Sequence, residues 1–543
     1  MQRRFFFLLM GIVAISNVQA QLMSNQTAFT RADTLRGSLR PERTCYDVKY
    51  YNLDIVIDTA LKVIYGSNKI TFLALENTKR IQIDLSLNFE LIRVTENYFD
   101  QGYQREEGAA FINFNRVIQK GETVTIKCEY SGRPVASKMP PWDGGFVWRK
   151  DSQGNQWIAV ACQGLGASCW WPNKDHQSDE PDSMDIAITV PDGYTCVSNG
   201  KLRAVGDIYG PLTRFEYHVS YPINNYNVTL NIAKYAHFAK KIQGIDCDFY
   251  VLPENLEKAK KQFEQVDEMM QCFQKHFGEY PFIHDGYKLV ETPYLGMEHQ
   301  SAVAYGNGYK MGYRGADLSG TGEGLKFDYI IIHETAHEWF GNSITSNDIC
   351  DMWIHEGFAM YAESVFLECY YGKESSFKYL NGLKKGIDND KPVIGPFGVN
   401  KEGSGDMYNK GALMLHTIRN IVNNDEKWEA VFLKYCNTFK YKNIDTKDVL
   451  NFFNQNFERD FSKVFEQYLY HITVPELQYE VKRKTMRYKW NTDVVGFDMP
   501  TKVSIADKEQ WISPTTSWQE ITLPAKKAKV AFFEDLFYIK VKN

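Results

Sequence analysis

Residues 333–337 read His-Glu-Thr-Ala-His, and this pentapeptide restricts the fold more than any other part of the chain. Two imidazoles four positions apart share one face of an α-helix, because 3.6 residues make a turn. The apolar run "FDYIIIHETAHEWF" around them fits a buried helix, which we expect to continue to about Gly341. Two side chains on one face do not complete a metal site, so a second element must return to the same place. "CDMWIHEGFAMYAE" opens another helical pattern, and its Glu356 follows His337 with eighteen residues between. A turn after Gly341 and an antiparallel helix would bring Glu356 beside His333 and His337. Two histidines and one carboxylate suit zinc, and three protein donors leave a coordination position for reaction. Glu334, between the histidines, is the candidate base on a metal-activated water. Glu363, seven residues beyond Glu356 and on a similar face, is expected to lie at the surface or to support a ligand rather than bind the ion.

The rest of the chain frames that centre. Its 543 residues, 44% hydrophobic and 24% charged, are enough for two to four domains. "MQRR", the apolar "FFFLLMGIVAIS" and small residues up to Ala20 form a signal-peptide pattern, which predicts export to a periplasm or secretion. Its removal takes Arg3 and Arg4 and shifts the formal net charge from −5 to −7. No basic patch marks nucleic acid as a partner, no later segment is apolar enough to span a membrane, and a monomer is expected. The ten cysteines form no CxxC pairs and read mostly as buried apolar residues, with Cys162 and Cys169 a candidate pair. "NQT" at Asn25 and "NVT" at Asn227 match the glycosylation pattern. Short alternating segments predict a large antiparallel β domain over 21–240 after a signal at 1–20. A mostly helical domain is expected over 241–470 and a small β domain over 471–543.

Two further residues enter through their neighbours. Glu298 stands alone as an acid in "ETPYLGMEHQSAVAYG", and Tyr408 precedes the helical run of "DMYNKGALMLH". A neutral phenol can donate a hydrogen bond to a developing oxyanion. With HETAHEWFGN, Glu356, "CWWPNKDHQSDEPDSMDIAITVP", "VSNGKL" and "QGLGAS", these segments resemble, over about residues 40–480, the M1 family of zinc aminopeptidases. The resemblance implies an α+β multidomain fold: a saddle-like antiparallel β domain, a thermolysin-like mostly helical catalytic domain and a small C-terminal β-sandwich. It implies one Zn2+ per chain on His333, His337 and Glu356, with Glu334 as base and Tyr408 stabilising the oxyanion. It also implies that Glu298, helped by Gln163 and flanked by Gly296 and Met297, binds the free α-amino group of peptide substrates. The chain departs from the family pattern at His299 and His355, where asparagine is usual, and its glycine before Met-Glu is shifted by one. It ends in strands where many members carry a large helical domain, so a more open cleft is expected. The competing readings are a thermolysin-type endopeptidase and an inactive peptide-binding protein on the same scaffold.

Overall fold

A computed structural model describes residues 28–208, 210–526 and 528–543; the signal-peptide pattern and Asn25 lie outside the described residues. The alternating segments of the first half become strands, with alternate side chains buried as period two requires. Tyr46–Asp58 and Val63–Ala74 pair antiparallel at the middle of an eight-stranded sheet. One pairing in that sheet is parallel, joining Tyr50–Val56 to Ser183–Thr189. Alternation fixes which face a side chain takes but not strand direction, so this pairing had no local signal. Smaller sheets of three and four strands complete this region, and the four-stranded one contains Gln156–Ala161, which leads directly into Gln163.

A five-stranded sheet follows, in the order Ala236–Ile242, Ile245–Val251, Tyr287–Glu291, Val303–Tyr305, Gly296–Met297, and its last strand lines the cleft. Its first strand straddles residue 240. Gly296–Met297 is the edge strand, antiparallel to Val303–Tyr305. The helical pattern after Pro253 folds as two helices, Leu256–Gln262 and Gln265–Phe277, broken at Phe263–Glu264. Phe263 leaves the helical backbone and is buried among Phe238, Phe249 and Tyr305, so packing overrides periodicity there.

Tyr329–Ala336 carries the first histidine and is buried on every side, including Ile330, Ile331 and Ile332. Asp328 caps it, accepting from the N–H groups of Ile330 and Ile331. The same carboxylate accepts from Tyr305 Oη at 2.8 Å, Gln262 Nε2 at 2.7 Å and Asn307 Nδ2 at 2.7 Å. An N-cap contributes about 1 kcal/mol, and this one also ties the helix to the sheet. The helix stops at Ala336, five residues before the expected end at Gly341. His337 becomes its C-cap, and the chain turns so that Phe340 O meets the His337 ring and Ile344 O receives the Gly341 N–H. The return helix, Trp353–Leu383, has a break at Gly372. Asn409–Val422, Asp425–Phe439 and Thr446–Phe457 pack around it, and two small sheets of four and three strands follow.

A disulfide joins Cys272, on the helix Gln265–Phe277, to Cys369 on the return helix. Cys162 and Cys169, the candidate pair, are buried free thiols, with Cys162 Sγ set against Tyr226 O at 3.5 Å. Asn227 is fully buried, and its amide donates to Asn342 Oδ1 at 2.8 Å, so in the folded chain it is closed to glycosylation. No described helix is long and apolar enough to cross a membrane.

Candidate active site

His333, His337 and Glu356 come together although eighteen residues of chain lie between the last two. His333 Nε2 and His337 Nε2 are 3.3 Å apart, and Glu356 Oε2 lies 3.4 Å and 3.3 Å from them. Donors placed tetrahedrally at about 2.0–2.1 Å from one zinc ion would stand about 3.3–3.4 Å apart, so the triangle has the right size. Glu356 Oε2 is buried and accepts no hydrogen bond within the protein. Burial alone would lower both histidines, yet Glu356, with Glu363 beside His333, raises them above the ordinary imidazole value. Burial raises Glu356, but His337 and His333 outweigh it and hold this carboxyl well below the usual range. Such concentrated negative charge around imidazoles is what a divalent cation would answer, and these residues fit one.

The outer ring nitrogens are also fixed. His333 Nδ1 meets Glu363 Oε1 at 2.7 Å, and Tyr379 Oη donates to the other oxygen of Glu363. His337 Nδ1 donates to Phe340 O at 2.8 Å. Each bond turns Nε2 toward the shared point, the arrangement expected of metal-bound histidine. Replacing Glu363 by Ala is expected to weaken metal affinity about 10- to 100-fold. Competition with a chelator measures it, and unchanged affinity would show that the Glu363 bond does not orient His333.

The opposite wall comes from the β region and the edge strand. Glu298 is 2% exposed; its Oε1 accepts from Gln163 Nε2 at 2.6 Å and from Tyr226 Oη at 3.0 Å. Its backbone is held too, since Asn342 Nδ2 donates to Glu298 O at 2.7 Å. Glu338, next to His337, accepts from Ser301 N at 2.9 Å and Tyr280 Oη at 2.7 Å. The Ser-Asn-Gly turn grips the same segment through Asn199 Nδ2 to Gln300 O at 2.7 Å. Glu298 is therefore rigidly placed relative to the histidine helix. Carboxylate and ring atoms of Glu298, Glu334 and His337 lie within 4.8 Å of one another.

These groups line a cleft of about 530 Å³ with Met297, Tyr408, Trp142, Tyr313 and Tyr329. A Cβ on Gly296 would stand 2.7 Å from Glu334 Oε1, so glycine there leaves room for that carboxylate. Burial pushes Glu334 up to about 8; His333 and His337 pull it down, while Glu298 and Glu356 push it up. Tyr408 stacks on His333 with ring centroids 5.9 Å apart. Burial, then Glu356 and Glu298, raise its phenol, which stays a neutral donor at neutral pH. His299, beside Glu298 in sequence, is fully buried, and neither ring nitrogen has a hydrogen-bond partner.

All nine candidate residues thus meet around one cleft. Tyr226, Glu338 and Asn342 were not anticipated. Glu338 and Asn342 lie inside HETAHEWFGN and were legible only as part of a motif, while Tyr226 in "NNYNVTL" gave no local signal.

Residues 261–468 match the model of the peptidase family M1 domain. Mouse aminopeptidase B is 26% identical over 291 residues, covering 50% of this chain and 41% of that protein. Mouse endoplasmic reticulum aminopeptidase 1 is 22% identical over 289 residues, covering 50% of this chain and 31% of that protein. The chain thus spans less than half the length of these curated relatives. An M1 zinc metallopeptidase mutant from Deinococcus radiodurans, solved with a Tyr-Ser-Ala substrate, superposes with a TM-score of 0.66 at 19% identity. That match covers 80% of this chain and 96% of the other. Residues 261–468 thus match the peptidase family M1 domain, within a fold shared with the M1 metallopeptidases.

Proposed function

We propose that this protein is a zinc-dependent aminopeptidase that removes the first residue from peptides. The observation that carries the reading is the position of Glu298: a buried carboxylate, fixed by Gln163 and Tyr226, in the same cleft as the histidine–glutamate triangle. The relatives named above are aminopeptidases, which supports it.

Zinc held by His333, His337 and Glu356 would supply a Lewis acid that polarises the carbonyl and makes water a usable nucleophile near neutral pH. Glu298 accepts the substrate's ammonium group in a charge-assisted bond. That anchor lies so close to Glu334 that only the first peptide bond reaches the base. Glu334 takes a proton from the attacking water and returns it to the departing amine. Tyr408 donates its hydroxyl proton in a hydrogen bond to the carbonyl oxygen as charge develops there. The edge strand Gly296–Met297 offers backbone groups to an extended substrate beside Met297. The signal-like pattern of residues 1–20 and the Cys272–Cys369 disulfide support an exported enzyme.

Incubation with a free peptide should give a mass ladder that shortens one residue at a time from the N-terminus. A chelator should stop it and zinc restore it. Internal fragments would instead indicate an endopeptidase, and an unchanged peptide an inactive binder.

A further inference from the structure

The third ligand's neighbour, His355, is fully buried and sits between two groups that dictate its proton. The Ser346 backbone N–H donates to His355 Nε2 at 2.8 Å. A backbone amide can only donate, so Nε2 must accept and the ring proton belongs on Nδ1. Nδ1 lies 3.5 Å from Tyr226 Oη. The phenol oxygen therefore accepts from His355, and its own proton goes to Glu298 Oε1 at 3.0 Å. Gln163 Nε2 donates to that same oxygen, so both fixed donors converge on Oε1 and the second carboxylate oxygen is left to an ammonium group. Each link has one direction, set at its start by a backbone amide.

The packing keeps this order. Gly341, at φ +132°, has its α-carbon beside both rings: a Cβ there would stand 3.2 Å from His337 Nδ1 and 3.3 Å from His355 Nδ1. Glycine lets the His355 ring lie against the metal-facing histidine without displacing either. The residue beside the third ligand and the residue that orients the amine anchor are thus joined by one chain of hydrogen bonds.

We infer that His355 and Tyr226 are positioning residues for substrate amine recognition: the Ser346–His355–Tyr226 chain holds the Glu298 carboxylate in the orientation that receives the N-terminal ammonium. The inference deepens the aminopeptidase reading and rests on it. It also gives a function to His355, one of the two histidines that stand where asparagine is usual in the family pattern. The ammonium is anchored alike in ground and transition states, so disturbing the chain weakens binding more than turnover.

The side chains that separate this role from simple packing follow from atom positions. Asparagine can put an N–H donor where His355 Nδ1 lies, whereas glutamine reaches only the Nε2 position. Steady-state kinetics on an aminoacyl-arylamide should show Tyr226→Phe raising KM about tenfold, with kcat changed by less than about threefold. His355→Gln should do the same, and His355→Asn should restore KM to within about threefold of the parent. Zinc content and melting temperature are measured for each variant. Equal KM for His355→Gln and His355→Asn, or an unchanged KM in Tyr226→Phe, would overturn the inference. Glu298→Ala in the same assay separates the two levels: if it retains full kcat/KM, the amine-anchor reading itself fails; if it is impaired while the other variants are normal, only the inference fails.

Discussion

Replacing Glu334 by Gln is expected to reduce kcat by about 100- to 10,000-fold while the metal stays bound. Glutamine fills the same volume, so the close approach of Gly296 to Oε1 is preserved. What it lacks is basicity: an amide cannot take the proton of an attacking water. Glu334 is outside the triangle of His333, His337 and Glu356, so zinc per chain should equal that of the parent. Turnover on an aminoacyl-arylamide and metal content by elemental analysis check both halves. Parent-like turnover would remove Glu334 from the role of base. Lost zinc would make the variant uninformative about the base, and Glu334→Asp, which keeps basicity but shortens the reach, would then decide through its kcat.

Glu298→Ala carries the second large effect. Removing a buried carboxylate leaves Gln163 Nε2 and Tyr226 Oη without their acceptor, which costs about 1–3 kcal/mol of stability. The larger loss is in substrate orientation. Without a charge partner the ammonium has no fixed place, and kcat/KM for free-amine substrates should fall about 100-fold or more. Hydrolysis of N-acetylated substrates, which never used the anchor, should be unchanged. Equal losses on both substrate types would point to a damaged fold rather than a missing anchor.

The sequence revealed the parts of this site that depend on local spacing. His333 and His337 need only the helical repeat, and Glu356 needs only a loop and a second helix. Gln163 is different: it stands 135 residues from Glu298, and no periodicity links them, so only the family resemblance brought it forward. Tyr226 and the proton order through His355 were invisible because they depend on which loops the β sheets bring together. The histidine helix ends earlier than its apolar spacing predicts for a related reason. Apolar spacing continues through Trp339 and Phe340, but the His337 ring takes the Phe340 carbonyl and turns the chain out of the helix. The cysteines show the same limit. Cys162 and Cys169 are near neighbours in sequence yet remain thiols, while Cys272 and Cys369, 97 residues apart, are joined. Texture separated sheet-rich from helix-rich stretches well, because burial of alternate residues or of one helical face is written locally.

The central claim is that this metal centre works only beside a recognised free N-terminus. The most direct test is the ratio of kcat/KM for one aminoacyl-arylamide and its N-acetylated form, measured with the zinc-loaded parent enzyme. The account predicts a ratio of about 1,000 or more in favour of the free amine. Equal cleavage of the two would contradict it.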